Sequence, residues 1–297
     1  MPRYRIYGLT VESELTLTEL APLSVEDAGS ADVQIRVASR EHTPARPAEP
    51  GSFAQWLGAS AILSQFEGTA RFVVLHGRDV LVEPAPDADP DLVRHLLLGP
   101  VLAQALWQRA KFVLHGCVLQ VGARQLAFVG ASGAGKSTLA VALHQAGHTL
   151  VCDDVAALEW RERPVLVHPA MPRMRAFEDT LEQLGESRVG LTRAHRELAK
   201  WLLPARRFAS SSLPLDRVYV LSEGEDFAVE PMGRAESMLE LLRNTYYAEQ
   251  YVGLFGPGAH MESAGALANA LEVRRLVRPR AWSRVAELVR LIERESA

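Results

Sequence analysis

Eight consecutive residues constrain this chain more than any other feature. Gly130-Ala131-Ser132-Gly133-Ala134-Gly135-Lys136-Ser137 matches the pattern G-x-x-x-x-G-K-[ST]. The apolar run Gln125 to Val129 before it reads as a buried strand, and Lys136 to Ala146 after it reads as a helix. The residue types have a physical reason. Glycines let backbone N–H groups turn inward and approach phosphate oxygens. The start of a helix adds the positive end of its dipole. Lys136 can reach the outer phosphates, and Ser137 offers a hydroxyl to Mg²⁺. The expected nucleotide-binding segment is therefore Gly130, Ser132, Gly133, Ala134, Gly135, Lys136, Ser137 and Thr138. The motif specifies nucleoside triphosphate binding and not a particular reaction, because ATPases, GTPases and transporter subunits share it.

A second feature narrows the chemistry. The short apolar strand His148 to Cys152 ends on Asp153-Asp154. Ligands of open α/β sheets sit at the carboxyl ends of strands. One carboxylate of such a pair can hold Mg²⁺, and the other can accept the proton of an incoming hydroxyl. Beside them, His115-Gly116 lies on the strand Phe112 to Val121. A lone strand histidine is more often structural than catalytic, and its place near the nucleotide strand brings the two readings level.

Around this core the chain reads as two parts. Strand patterns at Tyr4 to Leu9, Ala61 to Phe66, Arg71 to Leu75 and Val80 to Val82, with a hairpin turn at His76-Gly77-Arg78-Asp79, suggest a small β-rich unit over residues 1–90. A polar, proline-containing stretch, Glu41 to Gly51, interrupts it. A helix is expected near Asp91, and residues 91–297 form the catalytic domain. Further strands are expected at Leu215 to Ser222 and Leu271 to Val277. A closing amphipathic helix over Arg280 to Glu295 places Trp282, Val285, Val289 and Ile292 on one face. The alternation of strands and helices gives the fold class α/β.

Composition excludes several functions. The 297 residues are 48% hydrophobic and 23% charged, an ordinary globular balance. The net charge of −4 offers no basic field for nucleic acid. No apolar run reaches the roughly 18 residues of a membrane span. Met1-Pro2-Arg3-Tyr4-Arg5 lacks a signal-like apolar core, so a soluble, cytoplasmic protein is expected. Cys117 and Cys152 have neither disulfide-scaffold nor metal-site spacing. Lys111, Lys136 and Lys200 are the only lysines of the sequence, against 29 arginines. In the basic stretch Arg188, Arg193, Arg196, Lys200, Arg206 and Arg207, the spacing puts Arg193, Arg196 and Lys200 on one helical face, most simply a solvated one. Arg173, Arg175 and Arg243 are further candidates to stabilise transition-state charge. Ser210-Ser211-Ser212 reads as a loop that could also take a phosphoryl group.

Three segments carry a family resemblance. Leu114-His115-Gly116, Phe128 through Thr138, and Gly147 through Asp154 resemble the catalytic domain of HPr kinase/phosphorylase. Tyr4-Arg5-Ile6-Tyr7-Gly8-Leu9, Leu98 to Leu102, Pro172-Arg173-Met174-Arg175 and Asn244-Thr245-Tyr246 look like the HPr-kinase-related branch, which includes kinases of lasso-peptide precursors. The resemblance implies an α/β P-loop kinase core of the HPr-kinase C-terminal-domain type, with a smaller β-rich N-terminal unit. It implies ATP and Mg²⁺ as cofactors, and phosphorylation of a serine hydroxyl on a peptide or protein. In that scheme Lys136 and Ser137 hold phosphate and Mg²⁺, Asp153 is the general base and Asp154 the metal-side carboxylate, although the two aspartates could exchange roles. His115 falls on the family's active-site histidine. One departure matters. The Leu-Glu-x-Arg-Gly signature linked to phosphorolysis is missing, and Pro172-Arg173-Met174-Arg175 stands in its region, which puts phosphorylase activity in doubt.

The leading expectation is thus an ATP-dependent serine kinase with a peptide or protein substrate, and with neither nucleic acid nor membrane as partner. The oligomeric state is open, with a homo-oligomer among the options. The alternatives are a kinase of a small-molecule hydroxyl, or a nucleotide-switched binding protein without transfer.

Overall fold

The computed structural model describes residues 1–26, 29–38, 54–58, 60–195 and 198–297. The Glu41 to Gly51 stretch and Arg196 lie outside the described residues. Contacts divide the chain into two units, Met1–Val113 with Tyr247–His260, and Leu114–Tyr246 with Met261–Ala297.

The first unit holds a seven-stranded sheet of β1 (Arg3–Ile6), β2 (Leu9–Ser13), β3 (Val33–Val37), β4 (Ala54–Gly58), β5 (Ala61–Phe66), β6 (Ala70–Leu75) and β7 (Asp79–Pro84), in the order β1-β2-β3-β7-β6-β5-β4. The single strand expected over Tyr4 to Leu9 is instead a hairpin. Tyr7 and Gly8 turn it, both at positive φ (55° and 73°), as a tight two-residue hairpin loop requires. Helix α1 (Pro90–Leu96) starts where expected, with Asp89 accepting the Asp91 N–H at 3.0 Å. A wide turn through Gly99-Pro100 leads into α2 (Leu102–Gln108).

The first unit extends beyond the boundary expected at residue 90, and packing explains why. Buried Gln104 donates to buried Ser64 Oγ at 2.6 Å. The Trp107 ring meets the ring of Tyr251 edge-on at 5.6 Å. That contact ties the 247–260 segment to the same unit.

The second unit carries the three sequence features that point to chemistry. Its strands are β8 (Phe112–Val121), β9 (Arg124–Val129), β10 (Thr149–Cys152), β11 (Val155–Glu159), β12 (Leu166–Val167), β13 (Arg173–Phe177), β14 (Thr192–His195), β15 (Leu198–Pro204), β16 (Leu213–Pro214), β17 (Arg217–Glu223), β18 (Ala228–Pro231) and β19 (Glu272–Arg278). A nine-stranded sheet runs β16-β12-β11-β8-β9-β17-β19-β18, with β10 also paired to β8. Within it β9, β17 and β19 are parallel, and Val220 lies opposite both Val129 and Arg275. The carboxyl ends of three strands therefore come out at one edge, where the glycine-rich segment begins.

Helix α3 (Lys136–Gln145) follows that segment and buries Leu139, Val141 and Leu143. Phe128 and Tyr219 stack beside them at 5.6 Å. Each such side chain contributes roughly 1.5–3 kcal/mol on burial, which fixes the loop between a strand and a helix that cannot shift cheaply. After the short α4 (Glu178–Gln183) come α5 (Arg234–Arg243), α6 (Ala248–Ala270) and α7 (Val285–Ser296). The helical stretches of α6 join at Gly256, whose φ of 83° breaks the helical geometry. In α7, Leu288, Val289 and Ile292 face the core as the periodicity requires, but Trp282 precedes the helix and is exposed.

The described residues of the basic stretch are not helical. β15 pairs with both β13 and β14 in a three-stranded sheet. Trp201-Leu202-Leu203 supplies the β-prone residues of its centre, and Pro204 ends it. Strand pairing overrides the helix-like charge spacing. No described helix is long and apolar enough to cross a membrane.

Candidate functional site

The site forms where β9 gives way to α3. Gly133 and Gly135 adopt φ of 78° and 84°, a left-handed geometry that costs L-residues roughly 1–2 kcal/mol. A Cβ on Gly135 would also stand 2.6 Å from the Arg278 guanidinium. Lys136 opens α3, and its Nζ donates to the Gly130 and Ala131 carbonyls at 2.6 and 3.1 Å. Burial lowers the pKa of its ammonium group. Thr138 Oγ1 lies 3.2 Å from Thr180 Oγ1.

Opposite the loop stand the carboxylates. Asp153 and Asp154 leave β10 in a turn, and Asp154 has φ of 70°, a region where Asp is among the better tolerated residues. Arg175, on β13, holds both. Its backbone N–H donates to Asp153 Oδ2 at 2.7 Å, and its Nη1 donates to Asp154 Oδ2 at 2.8 Å. His115 Nδ1 sits 3.5 Å from Asp154 Oδ1. Gly116 follows it because β8 and β9 approach closely there; a Cβ would stand 2.6 Å from the Phe128 carbonyl oxygen.

The two carboxyls are not equivalent. Burial, and then the charge of Asp154, push the Asp153 pKa up to about 6, against the pull of the Arg175 contacts. Burial also lowers the His115 pKa, opposed by Asp154.

A cleft of about 500 Å³ joins the two walls, within the usual range for ligand sites. Ser132, Gly133, Gly135, Lys136, Ser137 and Thr138 line one side, and His115, Asp153 and Asp154 another. Gly130 and Ala134 shape the loop without lining the cleft. The Ala134 carbonyl accepts a hydrogen bond from Arg278 Nη2.

Four cations of the cleft escaped the sequence reading in whole or part. Lys200, assigned to a helix face, stands on β15 opposite Phe177, with its Nζ 4.6 Å from that ring's centre, and it lines the cleft. Arg278, Arg280 and Arg284 line it as well. Arg278 and Arg280 lie at the carboxyl end of β19, and Arg284 comes just before α7. Of the arginines singled out from sequence, Arg175 belongs to the site. Arg243 pairs with Glu240 at 2.7 Å on α5, and Arg188 pairs with Glu178. Arg193 lies over the Trp201 ring at 5.2 Å. Arg206 pairs with Glu186 at 3.4 Å, and Arg207 donates to the Gly147 carbonyl. None of these five lines the cleft.

Among the described residues no group of three or more His, Cys, Asp or Glu is placed to hold a metal by itself. Mg²⁺ does not need one. It is typically bound through one or two carboxylates together with substrate phosphates and water.

No family model matches the chain, and no curated protein does. Among solved structures it is similar to the Hpr(Ser) kinase/phosphatase from Coxiella burnetii, at 16% identity and a TM-score of 0.32, over 61% of this chain and 91% of that one. At that level of likeness, the site has to be argued from its own residues.

Proposed function

We propose that this chain is an ATP-dependent kinase, built on a P-loop, that phosphorylates a serine hydroxyl of a peptide or protein. The observation that carries the reading is the cleft itself. It sets a left-handed glycine loop, a helix start and Lys136 opposite the buried carboxylate of Asp153.

The residues fit a nucleotide with Mg²⁺. The loop from Gly130 to Thr138 would hold the phosphates, with Lys136 as their cation and Arg278 and Arg280 as further ones. Ser137 and Asp154 would hold Mg²⁺. Bound Mg²⁺-ATP supplies an electrophilic phosphorus and charge neutralisation around it. Asp153, half-ionised near pH 6, would accept the hydroxyl proton. A base poised close to the working pH combines availability with driving force. Arg175 and His115 would orient Asp154. The free thiols of buried Cys117 and Cys152 suit a reducing compartment such as the cytoplasm.

The test is mass spectrometry of the protein incubated with Mg²⁺-ATP and a panel of terminal- and internal-serine peptides. A gain of about 80 Da on a peptide, one phosphoryl group, lost with Asp153→Asn, is expected. Bound or hydrolysed ATP without any modified peptide would reject the peptide acceptor.

A further inference from the structure

Away from the cleft, three neighbouring strands bring together a serine, a histidine and a carboxylate. Glu159 ends β11, His168 follows β12, and Ser212 precedes β16. Leu158 pairs with Val167, and Val167 with Leu213, so the register sets His168 and Ser212 opposite each other. The His168 ring is buried, with 4% of the residue exposed. Its Nδ1 lies 2.6 Å from Ser212 Oγ, and its Nε2 lies 3.2 Å from Glu159 Oε2. Ser212 itself is exposed.

The partners assign the protons. An ionised carboxylate only accepts, so Nε2 carries the hydrogen directed at Glu159. In the neutral ring Nδ1 then holds a lone pair, and Ser212 O–H donates to it. A buried base oriented by a carboxylate and bonded to an accessible hydroxyl is the arrangement that activates a nucleophilic serine.

We propose that Ser212 is an activated nucleophile, with His168 as its base and Glu159 as a positioning residue, and that it takes the acyl group of an activated ester. Ser212 Oγ bonds to the carbonyl carbon as its proton passes to His168 Nδ1. The bond from that carbon to the leaving oxygen then breaks, and the departing alkoxide or phenoxide takes the bonding pair. The proton passes from His168 to the leaving group or to solvent, and no oxidant or reductant is needed. The three residues supply a base and its orientation, so the substrate is an ester whose leaving group departs readily. The outcome is one acyl group per chain rather than rapid turnover.

The full chain treated with p-nitrophenyl acetate is expected to release about one equivalent of p-nitrophenolate and to gain about 42 Da, one acetyl group, on Ser212. Ser210 and Ser211 serve as internal controls and are expected to stay unmodified. Ser212→Ala is expected to abolish the burst, and His168→Gln to slow it about ten-fold or more. Glu159→Gln is expected to slow it several-fold, with partial rescue by Glu159→Asp, a recovery that a packing role would not produce. Glu159 is half-exposed, so its variants decide the matter even if His168→Gln does not fold. No acetylation of Ser212, equal acetylation of Ser210 and Ser211, or a rate unchanged by Glu159→Gln would overturn the proposal.

Discussion

The two walls of the cleft are made from different materials. The loop wall is mainly backbone: glycine torsions, the start of α3 and one lysine, all from a single run of residues. The carboxylate wall is side chains from separate strands, with Arg175 bridging Asp153 and Asp154 while His115 approaches the latter from β8. The contrast separates two tasks. Backbone donors recognise phosphate whatever it is attached to. In the proposed reaction the carboxylate wall takes the proton, at Asp153, whose acidity burial and the neighbouring Asp154 weaken. Nucleotide binding should therefore tolerate loss of the Asp153 carboxylate, whereas transfer should not tolerate damage to either wall.

The sharpest way to break this comparison is Asp153→Asn. It should cut phosphoryl transfer by about 10³-fold, the scale of a lost general base, and leave nucleotide affinity in a titration within a few-fold. Lys136→Ala belongs to the other wall. It should weaken nucleotide binding as well as lower transfer, by about 10²-fold, as expected when one charge-stabilising donor is lost. Equal binding losses in the two variants would erase the division of labour.

Gly135→Ala tests the loop wall through its geometry. A left-handed alanine crowding Arg278 should destabilise the second unit by about 2 kcal/mol, readable as an earlier denaturant midpoint. If the variant keeps wild-type stability, the conformation is not required.

A control outside both walls is Arg217, which donates to Glu272 and to Tyr219 Oη at 2.7 and 2.8 Å. Arg217→Ala should cost about 2 kcal/mol, the scale of hydrogen bonds to a charged group, while nucleotide affinity at the cleft stays as it was.

The smallest effect is a pH dependence. Burial first, and then Arg206 and Arg207, lower the His144 pKa from its ordinary 6.5, against the His148 carbonyl and Glu186. Its Nε2 accepts the Arg206 N–H at 2.8 Å, which requires an unprotonated nitrogen. On acidification through 6.5, the unfolded chain takes up this proton before the folded one. The stability contribution is complete above that value and falls as pH drops toward the lowered folded pKa. Thermal melts from about pH 7 to about pH 5.5 should show a decline that His144→Gln flattens.

How much of this was legible in the sequence follows from range. The loop wall could be read because its chemistry lies in one window of consecutive residues, and β8, β9 and α3 were placed nearly to the residue. The hairpin at Tyr7-Gly8 was hidden because tyrosine is an unusual occupant of a positive φ. Lys200 was assigned to a helix because basic residues spaced by three and four look helical, while the pairing of β15 with β13 is a long-range fact. Arg278 and Arg280 reach the cleft only through the parallel register of β9, β17 and β19, which no local pattern encodes. The unit division was equally non-local, since it depends on Trp107 meeting Tyr251.

The double grip of Arg175 has a consequence for folding fidelity. Side chains alternate along a strand, so a slip of β13 by one residue would turn every side chain to the opposite face. An amide would still be available to Asp153, because every position but proline has one. Asp154 would lose the guanidinium that faces it from β13. The aspartate pair thus proofreads the alignment of β13: one carboxylate accepts any register, and the other accepts only the correct one.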